Sequence, residues 1–299
     1  MTPRVSIVMR TKDRSVFLER ALRSVAQQTL SDWELIIVND GGLPRAVRDV
    51  VRAVKVPDHA RVHIIDNDSP AGRWPAANAG VRAATGEFLI LHDDDDSWSP
   101  RFLERAVGYL ETQPDRHGVV SRIEIVWERR EGEAIVEERR ERFLPGSVAP
   151  LLMDQQRFNH FVPIAFLYRR SLHDVIGLYD ESIPVVGDWV FNTRVLELGP
   201  LEYLSDEPLV FWHQRPTSVG ADSNSVIGAR NEHDLHDALL RDAAFRSYVN
   251  LHGAGGMLYF EWRLKQLENA LREEMASQSH EATNPITVAL RRLWRRIRR

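Results

Sequence analysis

The sequence predicts an α/β fold with a mostly parallel sheet flanked by helices, and three observations carry that expectation. Short apolar runs alternate with helical patterns through the first hundred residues, the runs are almost wholly apolar, and polar loops follow their carboxyl ends. Strands buried on both faces and spaced by helices imply a parallel sheet with right-handed crossovers.

Taken in order, Val5-Ser-Ile-Val-Met9 is a run suited to a buried strand. Ser15 opens a helix with Phe17, Leu18, Leu22 and Val25 on one side and Arg20, Arg23 and Gln27 opposite. Residues 34–38 are the second strand, and Asn39-Asp-Gly-Gly42 is its turn. A helix over 45–54, a strand over 62–65, a short helix over 76–84 and a strand over 87–91 follow, and Pro100 opens another helix. Residues 118–128 and 134–138 read as a hairpin, 164–168 as a strand, 189–198 as a helix and 209–212 as a strand. Beyond Asn231 the pattern turns helical, over 232–251 and 257–275, before a polar linker over 276–285. The expected organisation is a domain over 1–230 (halves 1–100 and 101–230), a helical extension over 231–275, and a linker with basic tail over 276–299.

Composition excludes several classes. The 299 residues are 43% hydrophobic and 27% charged, ordinary for a globular protein. A net charge of −4 gives no global attraction to nucleic acid. Without cysteine there is neither a disulfide framework nor a thiolate zinc site. No apolar stretch resembles a signal peptide or reaches the ~20 residues of a membrane span. The expectation is a cytoplasmic protein, peripheral at the inner face of the membrane through its tail. Ile286, Leu290, Leu293, Trp294 and Ile297 fall on one helical face, and Arg291, Arg292, Arg295, Arg296, Arg298 and Arg299 fill most of the rest. Setting those six arginines aside leaves −10 on the remainder, so a contact with the acidic body or with another subunit is the competing use.

Chemistry concentrates at the strand ends. Asp93 to Asp96 follow the fourth strand directly. Adjacent carboxylates repel and raise one another's pKa unless a cation lies among them. Mg²⁺ or Mn²⁺, which take one or two carboxylates plus substrate phosphates, suit such a site better than a solvated acidic loop. Asp40 ends the second strand, where it could accept hydrogen bonds from a base or ribose. Neither a Gly-x-Gly-x-x-Gly nor a Walker motif occurs.

With these residues in view, the chain resembles the family-2 glycosyltransferases from about Val5 to Ser218, in the manner of bacterial surface-polysaccharide enzymes. Val5-Ser-Ile-Val-Met-Arg-Thr-Lys-Asp-Arg14 is similar to the family's opening strand and loop, and Gln28 to Asp40 to its second strand with aspartate. Asn78-Ala-Gly-Val-Arg-Ala-Ala-Thr-Gly-Glu-Phe-Leu-Ile-Leu91 leads into the Asp-x-Asp region, and Ile176-Gly-Leu-Tyr-Asp-Glu181 and Gly187-Asp-Trp-Val-Phe-Asn-Thr-Arg194 look like the acceptor-side signature. The resemblance implies a GT-A type nucleotide-sugar-binding fold with a C-terminal helical extension. It also implies metal-dependent, inverting transfer from a nucleotide-sugar to a glycan or lipid-linked acceptor. Thr11 and Asp40 would contact the nucleoside, and Arg73 the base or a phosphate. Asp93 and Asp95 would be the Asp-x-Asp pair, Asp95 ligating Mn²⁺ or Mg²⁺, with Asp94 and Asp96 open to a shifted register. Asp188 matches the family's catalytic base, although Gly187 stands where an acid usually precedes it; the alternative is that Asp188 caps its helix. His213 would ligate the metal and Arg215 would neutralise phosphate charge. The rival readings are a nucleotidyltransferase on a similar sheet and a non-catalytic nucleotide- or sugar-binding module. An oligomer is compatible with the sequence, and nucleic acid is not an expected partner.

Overall fold

A computed structural model describes residues 2–57, 61–131, 134–216, 218 and 230–283. The basic tail over 286–299, with its expected membrane role, lies outside the described residues. Four strands form the parallel half of the sheet: β1 (Val5–Thr11), β2 (Trp33–Asp40), β3 (Arg61–Asn67) and β4 (Phe88–Asp93), in the order β3-β2-β1-β4. Helices α1 (Ser15–Ala26), α2 (Pro44–Val54) and α3 (Arg73–Ala83) link them. Val8 sits between Ile36 and Leu91, and all three are buried, which explains why these strands are apolar on both faces. α3 lies close against β1 because Gly80 has no side chain; a Cβ there would come within 2.2 Å of Val8 Cγ1. Gly41 takes φ +78° in the turn after β2, and Pro70 fills the space a side chain would need.

The second half adds β5 (Ser97–Trp98), α4 (Phe102–Thr112), β6 (Gly118–Glu131), β7 (Ala134–Arg142), α5 (Leu152–Gln155), β8 (Phe166–Arg169), α6 (Leu172–Ile176), α7 (Gly187–Leu198) and β9 (Tyr203–Gln214). β8 is antiparallel to β4 and β6, β9 runs parallel to β6, and β5 closes antiparallel on β9. The sheet is therefore mixed, and its path brings the end of β9 back to the loop that follows β4. A 3-10 turn at Pro163–Ala165 replaces the start of the expected strand at 164.

The chain divides into two compact units, Met1–Asp237 and Ala238–Arg299. The first holds one continuous apolar core. The helices at the end of the chain are α8 (Arg230–His252) and α9 (Gly255–Thr283). α9 runs through the polar stretch from Ala276 where a linker is expected, because no glycine or proline interrupts it before Pro285. No helix of the described residues is long and apolar enough to cross a membrane.

Candidate functional site

The carboxyl ends of β1 and β4 face the ends of β6 and β9, and the charged residues meet there in two groups. The inner group is buried. Thr11 Oγ1 donates to Asp94 Oδ2 (2.7 Å), and Arg14 spans Asp94 Oδ1 and Asp95 Oδ2 (2.8 Å each). Arg215, 0% exposed, pairs with Asp95 and with Glu128 Oε1, its guanidinium 4.1 Å from the Phe17 ring centroid. Arg20 donates to Glu128 Oε2 (2.7 Å) and to the Asp95 carbonyl. His213 lies between Glu128 Oε2 at Nδ1 (2.9 Å) and Ser97 Oγ at Nε2 (2.8 Å), and its backbone N–H donates to Asp96 Oδ1 (2.8 Å).

The cations that the aspartate run requires are thus supplied largely by the protein itself. Burial works to raise the Asp95 pKa, but Arg14 and Arg215 overcome it and hold the carboxyl down at about 2. Burial raises Asp94, with Arg14 opposing. Asp96 is raised well above the carboxylate range by burial and then by repulsion from Asp95 and Asp93. Burial also works to raise Glu128, yet hydrogen bonds from His213 and Arg20 bring it to about 2.

The outer group is Asp93, Arg73 and Asp188, joined by Arg10. Arg10 pairs with Asp93, donates to the Arg73 carbonyl (3.3 Å) and stacks 5.1 Å from the Trp74 ring centroid. Asp188, in the first turn of α7, accepts from Asn159 Nδ2 (2.7 Å). Burial raises its pKa, with Arg73 and Asp93 the nearest charges in influence. The helix is entered through Val186 at φ 54°, a left-handed conformation costing a β-branched residue about 1–3 kcal/mol. A Cβ at Gly187 would fall 2.6 Å from the Trp74 indole, which itself stacks on Tyr179 at 5.3 Å. Trp74 therefore occupies the space that an acidic side chain before Asp188 would need. Asn78 ties the halves together, accepting from Tyr179 N (3.0 Å) and donating to Tyr179 O (2.8 Å) and Glu181 Oε1 (2.8 Å).

Of the residues expected from sequence, Asp40 accepts from Asn67 Nδ2 (2.9 Å) and from the backbone of Ala71 (2.8 Å) and Gly72 (3.0 Å), so it shapes the loop that leads to Arg73. Arg215, expected to neutralise phosphate charge, is fully buried and pairs with Asp95 and Glu128. His213, expected to ligate a metal, lies with its two ring nitrogens within hydrogen-bond distance of Glu128 and Ser97. Arg20, on the side of α1 opposite Phe17 and Leu18, pairs with Glu128. Among the described residues, no cluster of three or more His, Cys, Asp or Glu could hold a metal ion. Asp93, whose side chain is 34% exposed, together with Asp95 still fits the smaller donor set of one or two carboxylates completed by substrate oxygens.

Glu128 and Asn159 escaped the sequence reading because they lie in no motif, and Arg10 and Arg14, although inside the opening-strand motif, were given no role there. His233 in the first turns of α8 escaped it as well. Its Nε2 is buried without a hydrogen bond, and Arg73 and Asp188 are among the charges acting on it.

Comparison with known proteins fits this geometry. Residues 6–177 match the model of Glycosyl transferase family 2. The glycosyltransferase YwdF of Bacillus subtilis (strain 168) is 34% identical over 192 residues, 64% of this chain and 67% of its own length. A PGL/p-HBAD biosynthesis glycosyltransferase of Mycobacterium bovis (strain BCG / Pasteur 1173P2) is 30% identical over 194 residues, 64% of this chain and 69% of its own. Among solved structures, S. aureus TarS 1-349 in complex with UDP-GlcNAc gives a TM-score of 0.55 at 16% identity, covering 74% of this chain and 61% of that one. The mannosyltransferase PcManGT from Pyrobaculum calidifontis, in complex with GDP-Man and Mn²⁺, gives 0.52 at 17%, covering 74% and 59%. The likeness to these two structures is one of fold, the GT-A type, and the chain spans about three fifths of each. A family model matched over more than half of its length, together with a relative at 34% identity, makes this chain a member of glycosyl transferase family 2.

Proposed function

We propose that the chain moves a sugar, with inversion at the anomeric carbon, from a nucleotide-sugar to a hydroxyl of a glycan or lipid-linked acceptor in polysaccharide biosynthesis. The observation that carries this reading is the Asp188 carboxylate, enclosed and acting electrostatically with Asp93, Arg73 and Arg10 at the carboxyl edge of the parallel strands. An acceptor hydroxyl becomes an adequate nucleophile only as a base takes its proton during attack. Asp188, oriented by Asn159, takes that proton as the new C–O bond forms and the nucleoside diphosphate departs. Arg73 and Arg10, the cations acting on this carboxylate, meet the diphosphate. Thr11 and Asp40 line the nucleoside side, Asp40 through the loop it holds, and Asp94 supports Thr11. A divalent cation, Mn²⁺ or Mg²⁺, would be held by Asp93 and Asp95 and would stabilise charge on the leaving diphosphate.

The names of the structural relatives support a nucleotide-sugar donor, since TarS was solved with UDP-GlcNAc and PcManGT with GDP-Man. We place the enzyme in the cytoplasm, against the inner membrane face through residues 286–299. Against the nucleotidyltransferase reading, the loop after β1 has no glycine, and Arg14 is spent on Asp94 and Asp95. The test is thermal shift against UDP-, GDP- and dTDP-sugars with and without Mn²⁺, followed by nucleotide release on adding acceptors. Stabilisation by one donor class with acceptor-dependent release supports the proposal. Stabilisation without release across acceptors indicates a binding module, and no stabilisation by any donor overturns it.

A further inference from the structure

We propose that α9 pairs in parallel, through a short coiled coil, with α9 of a second copy of this chain. Met257, Phe260, Leu264, Leu267 and Leu271 recur at alternating spacings of three and four residues along one side of the helix, while Leu258, Tyr259 and Trp262 lie exposed off this row. All five of the row are exposed, Leu264 by 59% and Leu267 by 57%. Aligned apolar side chains at this spacing are the a and d knobs of a left-handed two-stranded coil, and such a row left in water is unfavourable. The seam from Met257 to Leu271 runs about 21 Å along the helix, two heptads.

The flanking charges choose the partner and its direction. With Met257, Leu264 and Leu271 at a, Arg263 falls at g and Glu261 and Glu268 fall at e. In a parallel pair each g residue faces the e residue of the following heptad on the other helix, so Arg263 meets the partner subunit's Glu268, twice by symmetry. In an antiparallel pair Glu261 would face the partner subunit's Glu268, a repulsive contact. Glu268 already holds Arg272 one turn along its own helix (2.6 Å), a surface pair that leaves its second oxygen for another guanidinium. An anionic lipid surface is the less suitable cover. Over 255–276 the charged side chains are Glu261, Glu268, Glu273 and Glu274 against Arg263, Lys265 and Arg272, a net acidic balance, whereas a helix seated on such lipid needs a basic polar face.

The test uses the full chain in sedimentation velocity from about 1 to 100 μM, which reads dissociation constants in the micromolar range. The wild type is expected to shift from monomer to dimer across that range, and Leu264→Lys with Leu267→Lys to stay monomeric with an unchanged melting temperature. Arg263→Glu should weaken the dimer at least tenfold, and adding Glu268→Arg should restore it. Because the chain has no cysteine, Met257→Cys reports direction cleanly: parallel pairing gives a disulfide-linked dimer on mild oxidation. A wild type that is monomeric throughout overturns the proposal, as does a Leu264→Lys/Leu267→Lys protein that still dimerises. Failure of the Met257→Cys protein to cross-link overturns the parallel arrangement. Pelleting with phosphatidylglycerol vesicles that the double lysine variant abolishes, without dimerisation, would assign the stripe to lipid instead.

Discussion

Glu128 is the pivot of the buried network, and Glu128→Gln tests whether that network holds the site together. The substitution keeps the shape of the side chain and removes its charge, leaving Arg20 and the fully buried Arg215 facing a neutral amide. Holding a carboxyl at about 2 against its ordinary 4.5 corresponds to about 3 kcal/mol of stability at pH 7. Breaking one side of a buried ion pair commonly costs 3–5 kcal/mol, which agrees. For a unit of this size that is a fall in Tm of roughly 6–12 °C. The pH dependence has a definite sign. A carboxyl depressed in the folded state contributes fully above about 4.5, and the contribution is lost as pH falls toward about 2. Denaturant unfolding of wild type and variant should therefore show a constant gap from pH 6 to 8 that closes in acid, and because the pair is buried salt should hardly alter it. A gap below about 1 kcal/mol at pH 7, or one that widens on acidification, would refute the reasoning.

Asp188→Asn should leave donor binding intact while kcat falls by roughly 10²–10⁴-fold. Because burial raises the Asp188 pKa and the base must be ionised, the acid limb of kcat/KM should lie above the ordinary carboxylate value of 3.8; a limb at or below that value points to another base. Asp95→Ala should remove any Mn²⁺-dependent part of nucleotide affinity and also destabilise the fold, since Arg14 and Arg215 lose their shared partner; unchanged melting would contradict the pairing. Gly187→Ala should cost about 1–3 kcal/mol in chemical denaturation by pushing on Trp74, and a neutral result would mean the indole yields freely. A chain ended at Asn284 should fail to co-sediment with anionic vesicles that pellet the full chain at low salt, each tail arginine being worth about 1 kcal/mol at such a surface; equal pelleting would remove the tail from that role.

The sequence by itself determined the frame. Apolar runs such as Leu35 to Val38 can be strands only where both faces are covered, so the parallel half and its polar carboxyl edge follow from pattern alone. Asp93 to Asp96 and the Gly187-Asp188 segment were legible because local chain order carries them, the first at a strand end and the second at a helix start. The partner of Arg20 was not legible, because helical periodicity shows which side of α1 is polar, not that β6 and β9 bring Glu128 up against that side. Likewise the repulsion among adjacent aspartates demands cations without saying whose. Only the tertiary structure decided that Arg14, Arg20 and Arg215 supply them, because ion pairing in a dry interior depends on distances between residues as far apart in sequence as Asp95 and Arg215, and those distances are set by sheet order.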